Sequence, residues 1–340
     1  VVLAVVWPTM KGRHWQSPLF FLPVILLTVL VGCGRGVRAA PPASVLTVAI
    51  LRAVQSTTPE NLDILIEELR VGGFVVGTNL RIVGADPTEV HSDPNDAEET
   101  VRRWGGDGLD LVIALSSSGA AAASRAAPKT DVLFLSNDPT VVGLLKDERH
   151  PEGNLTGATF RVPADRTLDL ARRTLPGLQK VGLLYPTSDP ASKPVTESMV
   201  KAGADLGIEV ALGPFTTPDQ IAPAIMDLRE RGIGCLVLAN APTTVRNYPA
   251  ITAALNSVAL PAVSNTDAEF TIFVLEPDTR ELYRQMGRQA VRLLKGTPVS
   301  LVPVEDPGLY RFILNKSVAD RLGLQIPAEV LASAKVLVRP

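Results

Sequence analysis

The sequence predicts an α/β protein built from two similar parallel-sheet lobes joined by a hinge. Three observations carry this. Short apolar runs of β type alternate with helical patterns along the chain. The order of elements is then used a second time. Polar residues also collect just beyond the apolar runs in both halves, the edge where open α/β sheets hold their ligands.

Val45 to Leu51 reads as a first buried strand. In Asn61 to Arg70, Leu62, Leu65, Ile66 and Leu69 recur at helical spacing, and Gly72-Gly73 ends that helix. Leu80 to Ala85 is the next strand. Asp93 fits an N-cap with Pro94 at the first helical position, opening a helix to Trp104. Leu109 to Leu115 and Val132 to Leu135 complete the first set. The second set begins with the strand Val181 to Tyr185, the helix Val195 to Leu206, Gly207 and the strand Glu209 to Leu212. Gly108-Leu109, opening LDLVIAL, is echoed by Gly232-Ile233, opening IGCLVLA. Leu135-Ser136-Asn137-Asp138 is echoed by Val263-Ser264-Asn265-Thr266. The two lobes are expected to join near Gly153 to Pro163.

Polar residues cluster where the strands end. In the first lobe these are Gln55-Ser56-Thr57-Thr58, Ser116-Ser117-Ser118-Gly119 and Asn137-Asp138. In the second they are Thr187-Ser188, Asn240 with Thr243, and Asn265-Thr266. Any one such loop by itself reads as helix capping and turn formation. Six of them on two matched lobes point to a ligand cleft. Hydroxyls and free N–H groups at helix N-termini there suit an anionic or carboxylate group.

The N-terminal segment has a different character. Lys11, Arg13 and His14 precede the apolar run Leu19 to Val31, which is interrupted only by Pro23 and Thr28 and closes in Leu30-Val31-Gly32-Cys33. This is the layout of a bacterial lipoprotein signal, in which Cys33 receives lipid. Residues 1–32 are therefore expected to be a signal peptide, with Met10 as a tidier start, and 33–43 a lipid-attached tether without apolar periodicity. The alternative for Cys33 is an ordinary cysteine ending an uncleaved signal-anchor. The uncharged run Gln16 to Gly34 approaches the ~20 residues of a membrane span, but Gln16, Ser17, Pro18 and Pro23 weaken that reading.

The 340 residues suffice for two domains, with 33 basic residues against 35 acidic ones and a formal charge of −2. Removing Lys11 and Arg13 with the signal makes the remainder more acidic still. Such a surface has no electrostatic reason to bind nucleic acid. Cys235 is the only cysteine besides Cys33, and its place in CLVLA reads as a small core residue. His91 and His150 lie in unrelated loops, so no Ser/His/Asp arrangement can be assembled. HSDPNDAEE (91–99) holds possible metal ligands, but its spacing fits an N-capped helix with acids in the first turn. A Gly-x-x-x-x-Gly-Lys-Ser/Thr loop is absent, which excludes the ATPase of a transporter. No catalytic residue, metal or cofactor is expected. Phe160, Tyr185, Phe215 and Tyr248 are the candidates for stacking on a ring-bearing ligand. Asn154-Leu155-Thr156 matches a glycosylation acceptor in pattern only.

Two segments carry a family resemblance. DVLFLSNDPTVVGLLKDERHPEGNLTGATF (Asp131 to Phe160) resembles the ABC-transporter substrate-binding lipoproteins that include tryptophan- and tyrosine-binding members, through Ser136-x-Asp138-Pro139 and Pro151-x-Gly153-Asn154-x-Thr156-Gly157. LLKGTPVSLVPVEDPGLYRFILNKSVADRLGLQIPAEVL (Leu293 to Leu331) is the more specific match, and the resemblance runs from about Val45 to Val338. It implies a two-lobed periplasmic-binding fold that closes around a small solute and delivers it to a permease and its ATPase. The chain departs from the family at Gln55 to Pro59, where His-Pro-x-Leu is usual. It departs again at Val274-Leu275-Glu276-Pro277-Asp278, where a glycine-rich segment is usual. Glu276 would bring a carboxylate to the cleft; alternatively Glu276 and Asp278 favour the N-terminus of the following helix.

The expected N-terminal lobe is 44–158 plus about 272–305, and the C-terminal lobe 159–271 plus about 306–340. Hinges are expected near Thr156 to Pro163, Asn265 to Leu275 and Val304 to Tyr310. The expected ligand residues are Thr57, Ser116, Ser117, Ser118, Asn137, Asp138, Ser188, Asn240, Asn265 and Glu276. With an amino acid as ligand, Ser116 to Ser118 would hold its carboxylate, and Asp138 or Glu276 its ammonium. The protein is expected to be a monomer held at a bacterial membrane by its lipid. A ligand-sensing lipoprotein of the same fold, serving a membrane receptor, is the alternative. An extracytoplasmic enzyme lacks a catalytic constellation, and a transcription regulator would need a helix-turn-helix where the signal stands.

Overall fold

The computed structural model describes residues 45–52, 58–84, 86, 94–189, 192–266 and 268–337. The signal, Cys33, the tether, Thr57, His91 and Asp93 lie outside the described residues.

The first sheet is assembled from β1 (Leu46–Leu51), β2 (Leu80–Val83), β3 (Leu111–Ala114), β4 (Val132–Ser136) and β5 (Leu155–Thr159). Their spatial order is β2-β1-β3-β4-β5, and every pairing is parallel. Helices α1 (Pro59–Val71), α2 (Pro94–Trp104) and α3 (Ser117–Ala126) make the crossovers. Val48, Ile50 and Ile113 pack with Leu62, Leu65 and Leu69 of α1. Ala49, Leu51 and Phe134 pack on the other face with Val101 of α2 and Ala120 of α3. Cover on both faces is why β3 (LVIA) and the start of β4 (VLFL) are apolar rather than alternating.

The second half contributes α4 (Ala164–Thr174), β6 (Lys180–Pro186), α5 (Ser192–Leu206), β7 (Glu209–Phe215), α6 (Ile221–Glu230), β8 (Cys235–Leu238), α7 (Pro242–Arg246), α8 (Tyr248–Val258) and β9 (Ala262–Ser264). After these come β10 (Phe273–Pro277), α9 (Thr279–Leu294), β11 (Tyr310–Asn315), α10 (Lys316–Arg321), α11 (Ala328–Ser333) and β12 (Lys335–Leu337). The second sheet runs β12-β11-β10-β9-β8-β6-β7, with β10 and β11 as its one antiparallel pair. The expected two-lobed parallel α/β architecture is present. Among the described residues no helix is long and apolar enough to cross a membrane.

Two segments behave differently from expectation. The joint foreseen at Gly153 to Pro163 contains a fifth strand, since β5 pairs with β4 from Leu155 to Thr159. The family motif inside it is structural. Asn154 Nδ2 donates to the carbonyls of Ala127 and Thr130 (3.1 and 2.7 Å), and its Oδ1 accepts from Ser124. Thr156 Oγ1 donates to the carbonyl of Val302 at 2.5 Å. At Gly157 a Cβ would stand 2.1 Å from the Phe134 carbonyl oxygen.

The other difference is β10. The segment expected to rejoin the first lobe near 272 instead lies in the second sheet through Pro277, parallel to β9 and antiparallel to β11. Phe273, Val274 and Leu275 are buried, and the ladder on both edges satisfies their backbone. The return occurs only at Asp278. From there α9 packs on α1, with Leu282, Met286, Ala290 and Leu293 in the same core as Leu65 and Leu69. Gly287 permits the approach, since a Cβ there would lie 2.4 Å from that of Glu68.

Candidate ligand cleft

The chain passes between the two sheets three times: at Phe160 to Pro163, at Asp278, and at Asp306 to Leu309. The second crossing thus falls after Asn265 to Leu275, where it was expected, because β10 extends the second sheet. A proline stands in or beside each crossing (Pro163, Pro277, Pro307), which restricts φ where the chain changes sheets. The crossings are tied together. Asp278 N–H donates to the Leu309 carbonyl at 2.9 Å, and the Asp278 carboxylate caps α9 by accepting from Glu281 N–H at 3.0 Å. Thr159 N–H donates to the Glu305 carbonyl, and Glu305 N–H donates to that of Gly157 (2.9 and 3.1 Å).

Arg161 is the centre of this bundle. Its Nη1 and Nη2 donate to the Glu148 carboxylate at 3.2 and 2.6 Å. Nε and Nη2 donate to Asp306 Oδ1 at 2.9 and 2.8 Å. Burial works against the guanidinium charge, but Glu148 and Asp306 outweigh it and the pKa moves upward. Tyr310 OH donates to the Arg161 carbonyl, and the Arg166 guanidinium lies 4.7 Å over the Tyr310 ring.

A cavity opens beside the crossings. Asn137 and Asp138 reach it from the end of β4, and Arg161, Val162 and Pro163 from the first crossing. From the second sheet come Asn240 after β8 and Asn265 after β9, with Val195, Ser198 and Met199 of α5. Four residues singled out by strand-end position, Asn137, Asp138, Asn240 and Asn265, therefore meet although they come from both halves. Asp138 Oδ1 accepts from Thr140 Oγ1 at 3.1 Å, and Asn265 Oδ1 accepts from Thr167 Oγ1 at 3.4 Å.

The remaining candidates stand elsewhere. Ser116 caps α3 by accepting from Gly119 N–H at 3.0 Å, with Ser118 3.4 Å from its hydroxyl. Ser117 shares a 2.8 Å hydrogen bond with Ser136, next to Asn137. These three serines occupy the same strand-end edge of the first sheet but do not line the cavity. Ser188 lies in an exposed turn after β6. Glu276 does not line the cavity either. It is paired with Arg311 across β10 and β11, so its charge is met within the sheet.

Of the aromatic candidates none lines the cavity. Phe215 is fully buried, and Tyr248 bonds Thr266 through its hydroxyl at 2.6 Å and meets Phe270 edge to face. Arg161, Val195 and Met199 carry no strand-end signature; the i, i+4 spacing of the last two on α5 is the one local signal of a shared face. A larger groove of about 730 Å³ lies between α8 and α10. Strand-end polar residues from the two sheets do not meet there, so the cavity at Asp138 is the better ligand site. Cys235 is buried in β8, and burial pushes its thiol pKa up. Among the described residues no cluster of His, Cys, Asp and Glu could hold a metal ion.

One parallel and one mostly parallel sheet joined by three crossings, with a polar-mouthed cavity fed by strand ends of both, define a two-lobed solute-binding protein. A family model described as ABC transporter substrate binding protein matches residues 66–338, and the chain belongs to that family. The family is one of solute-binding proteins rather than enzymes, and its members work outside the cytoplasm. The tyrosine-binding protein of Clostridioides difficile (strain R20291) is 25% identical over 267 residues, covering 76% of this chain and 75% of the relative. The ligand-free, open structure of a substrate-binding protein with adhesive properties from Clostridium difficile superposes with a TM-score of 0.74 at 22% identity, covering 87% of this chain and 100% of that one. The ABC domain in complex with L-Trp from Streptococcus pneumonia gives 0.65 at 21% identity, over 87% and 100% of the two chains. The likeness to these two structures is one of fold.

Proposed function

We propose that this protein is the solute receptor of an ABC importer, capturing a small amino-acid-like solute and delivering it to a membrane permease. The supporting observation is that Asn137 and Asp138 from one sheet and Asn240 and Asn265 from the other line a single cavity beside the crossings. A solute touching both sides favours the closed arrangement, because only that arrangement makes both sets of contacts. Asp138 offers a carboxylate for the solute's ammonium. One relative is a tyrosine-binding protein and one structure of similar fold holds L-Trp, which supports an amino acid as cargo. The Leu30-Val31-Gly32-Cys33 sequence supports a lipid on Cys33 that keeps a monomeric receptor near its permease.

A thermal-shift screen of a soluble form starting after Ala40, against amino acids, purines, sugars and oligopeptides, tests the reading. A ligand at 100 times its dissociation constant stabilises by about 2.7 kcal/mol. No shift with any amino acid would assign the protein to another solute class. Asp138→Ala is expected to weaken amino-acid binding at least about tenfold, the scale of a lost charged hydrogen bond. Mass spectrometry of the membrane-extracted protein checks acylation of Cys33 separately.

A further inference from the structure

We infer that the first lobe rests on the bilayer through a valine face at the starts of β1 and β2, the edge of the sheet away from the ligand cavity. The partner is the lipid surface that carries Cys33, so the inference rests on the acylation reading above. Residues 71–79 (VGGFVVGTN) lead from α1 to β2 and hold no charge. Val71 is 68% exposed, Val75 39% and Val76 51%. Val45, 55% exposed, stands beside this loop, because Leu46 N–H donates to the Asn79 carbonyl at 3.0 Å. Single exposed valines need no explanation, but four on one loop and the adjoining strand start form a patch.

The loop can leave water at low cost. The N–H groups of Gly72 to Val75 and of Gly77 to Leu80 are all bonded within the loop or to the end of α1. Asn79 braces it from the side: Oδ1 accepts from Val75 N–H at 2.7 Å, and Nδ2 donates to the Gly73 carbonyl at 2.9 Å. A backbone whose donors are met internally adds little desolvation cost when its apolar side chains enter the headgroup region. Arg70, at the edge of the loop, is paired with Glu67, so the contact is apolar and needs no anionic lipid.

Chain length selects the partner. Cys33 stands twelve residues before Val45, at most about 40 Å of extended chain. A lipid on Cys33 therefore keeps this end of the lobe close to the bilayer and makes the contact intramolecular, so that even a weak apolar contact is populated. A second copy of the chain is the poorer occupant. A stable interface takes about 20–30 residues a side, far more than residues 71–79 and Val45 supply. All strands of the first sheet are parallel, so their starts lie opposite Asn137 and Asp138, and the docked lobe leaves the cavity open to solute.

The test couples the mature chain through Cys33 to maleimide lipid in neutral phosphatidylcholine vesicles, Cys235 being buried. Quenching by brominated lipid is then read from Val76→Trp and from Val142→Trp. Val142 is equally exposed at 50% but follows β4, on the cavity edge, and Trp104 gives both proteins the same background. Val76→Trp is expected to be quenched at least about twofold more than Val142→Trp, since an apolar face at the interface sits about 5–10 Å into the headgroup boundary. Adding Val71→Ser and Val75→Ser should bring the two positions together. Equal quenching at both positions, or a difference that the serine variant keeps, would overturn the inference. A dimer in sedimentation that the serines dissolve would also overturn it and give the face to a second copy of the chain. The coupling is chemical, so these outcomes judge the face alone; mass spectrometry of Cys33 in the membrane-extracted protein judges the acylation reading.

Discussion

Arg161, on the first crossing between the sheets, places two N–H donors on one carboxylate oxygen of Asp306, on the third. Thr159 Oγ1 donates to the same oxygen at 2.6 Å. Residues far apart in the chain are thereby held in one clasp at the floor of the cleft. Glu148 completes it from the loop after β4, and Val304 N–H bonds the Glu148 carbonyl at 2.8 Å. Two acids face one cation, so the clasp depends on a guanidinium that can serve both in one plane.

Arg161→Lys should therefore cost stability although the charge is kept. A lysine cannot reproduce the fork, and Glu148 and Asp306 would be left facing each other with one point charge. The expected loss is about 1–3 kcal/mol, toward the lower end because the Asp306 side chain is 51% exposed. Urea unfolding of the two proteins under one buffer measures it.

Glu276→Gln separates the sheet role of this residue from a role in the cleft. With Arg311 as its partner, Glu276 should influence stability by about 0.2–1 kcal/mol, as cross-strand charge pairs do. Solute affinity should stay within about twofold, far less than the factor of ten that 1.4 kcal/mol brings. A larger fall in titration calorimetry would return Glu276 to the binding site.

Gly157→Ala should be much costlier than its small size implies. The new methyl would meet the Phe134 carbonyl oxygen at 2.1 Å and the Phe134 ring at 2.6 Å, in the middle of a parallel ladder. Overpacking of this kind costs about 1–3 kcal/mol or more. Gly153→Ala is the contrast, since nothing lies within 4 Å there and only its φ of +71° resists a side chain. That backbone term is about 1 kcal/mol. Thermal melts of the pair should rank Gly157→Ala as the less stable.

Asp131 supplies a pH dependence. Burial pushes its carboxyl pKa above the usual aspartate range. The folded state then binds this proton more tightly than the unfolded chain. Its contribution to stability is full at acid pH and falls as pH rises from the ordinary aspartate range through the raised folded value. Asp131→Asn should consequently raise the melting temperature at pH 7, and the gain should vanish below the ordinary aspartate pKa. Melting curves of both proteins from pH 3 to pH 7.5 show whether the difference grows in that direction.

Most elements were visible in the residues because apolar periodicity is a local property. Leu62, Leu65 and Leu69 mark one face of α1 whatever surrounds it, and LVIA or CLVL is strand-like by itself. Strand-end position likewise exposed Asn137, Asp138, Asn240 and Asn265, since the C-terminal edge of a parallel sheet is set once the strands are known. Other features depend on partners distant in sequence. Leu155-Thr-Gly-Ala-Thr159 has a weak apolar signal and is a strand because β4 lies on one side and Glu305 bonds the other. Glu276 looked free for a ligand until antiparallel register set Arg311 opposite it. Arg161 became the centre of the cleft floor only when Glu148 and Asp306 were brought to it, and the α5 wall only when α5 was laid over β6 and β8. The residues alone determined which segments form strands and helices, because that follows from spacing along one chain. Tertiary structure alone decided which charges are spent within the fold and which face the solute, because that follows from how the crossings are packed.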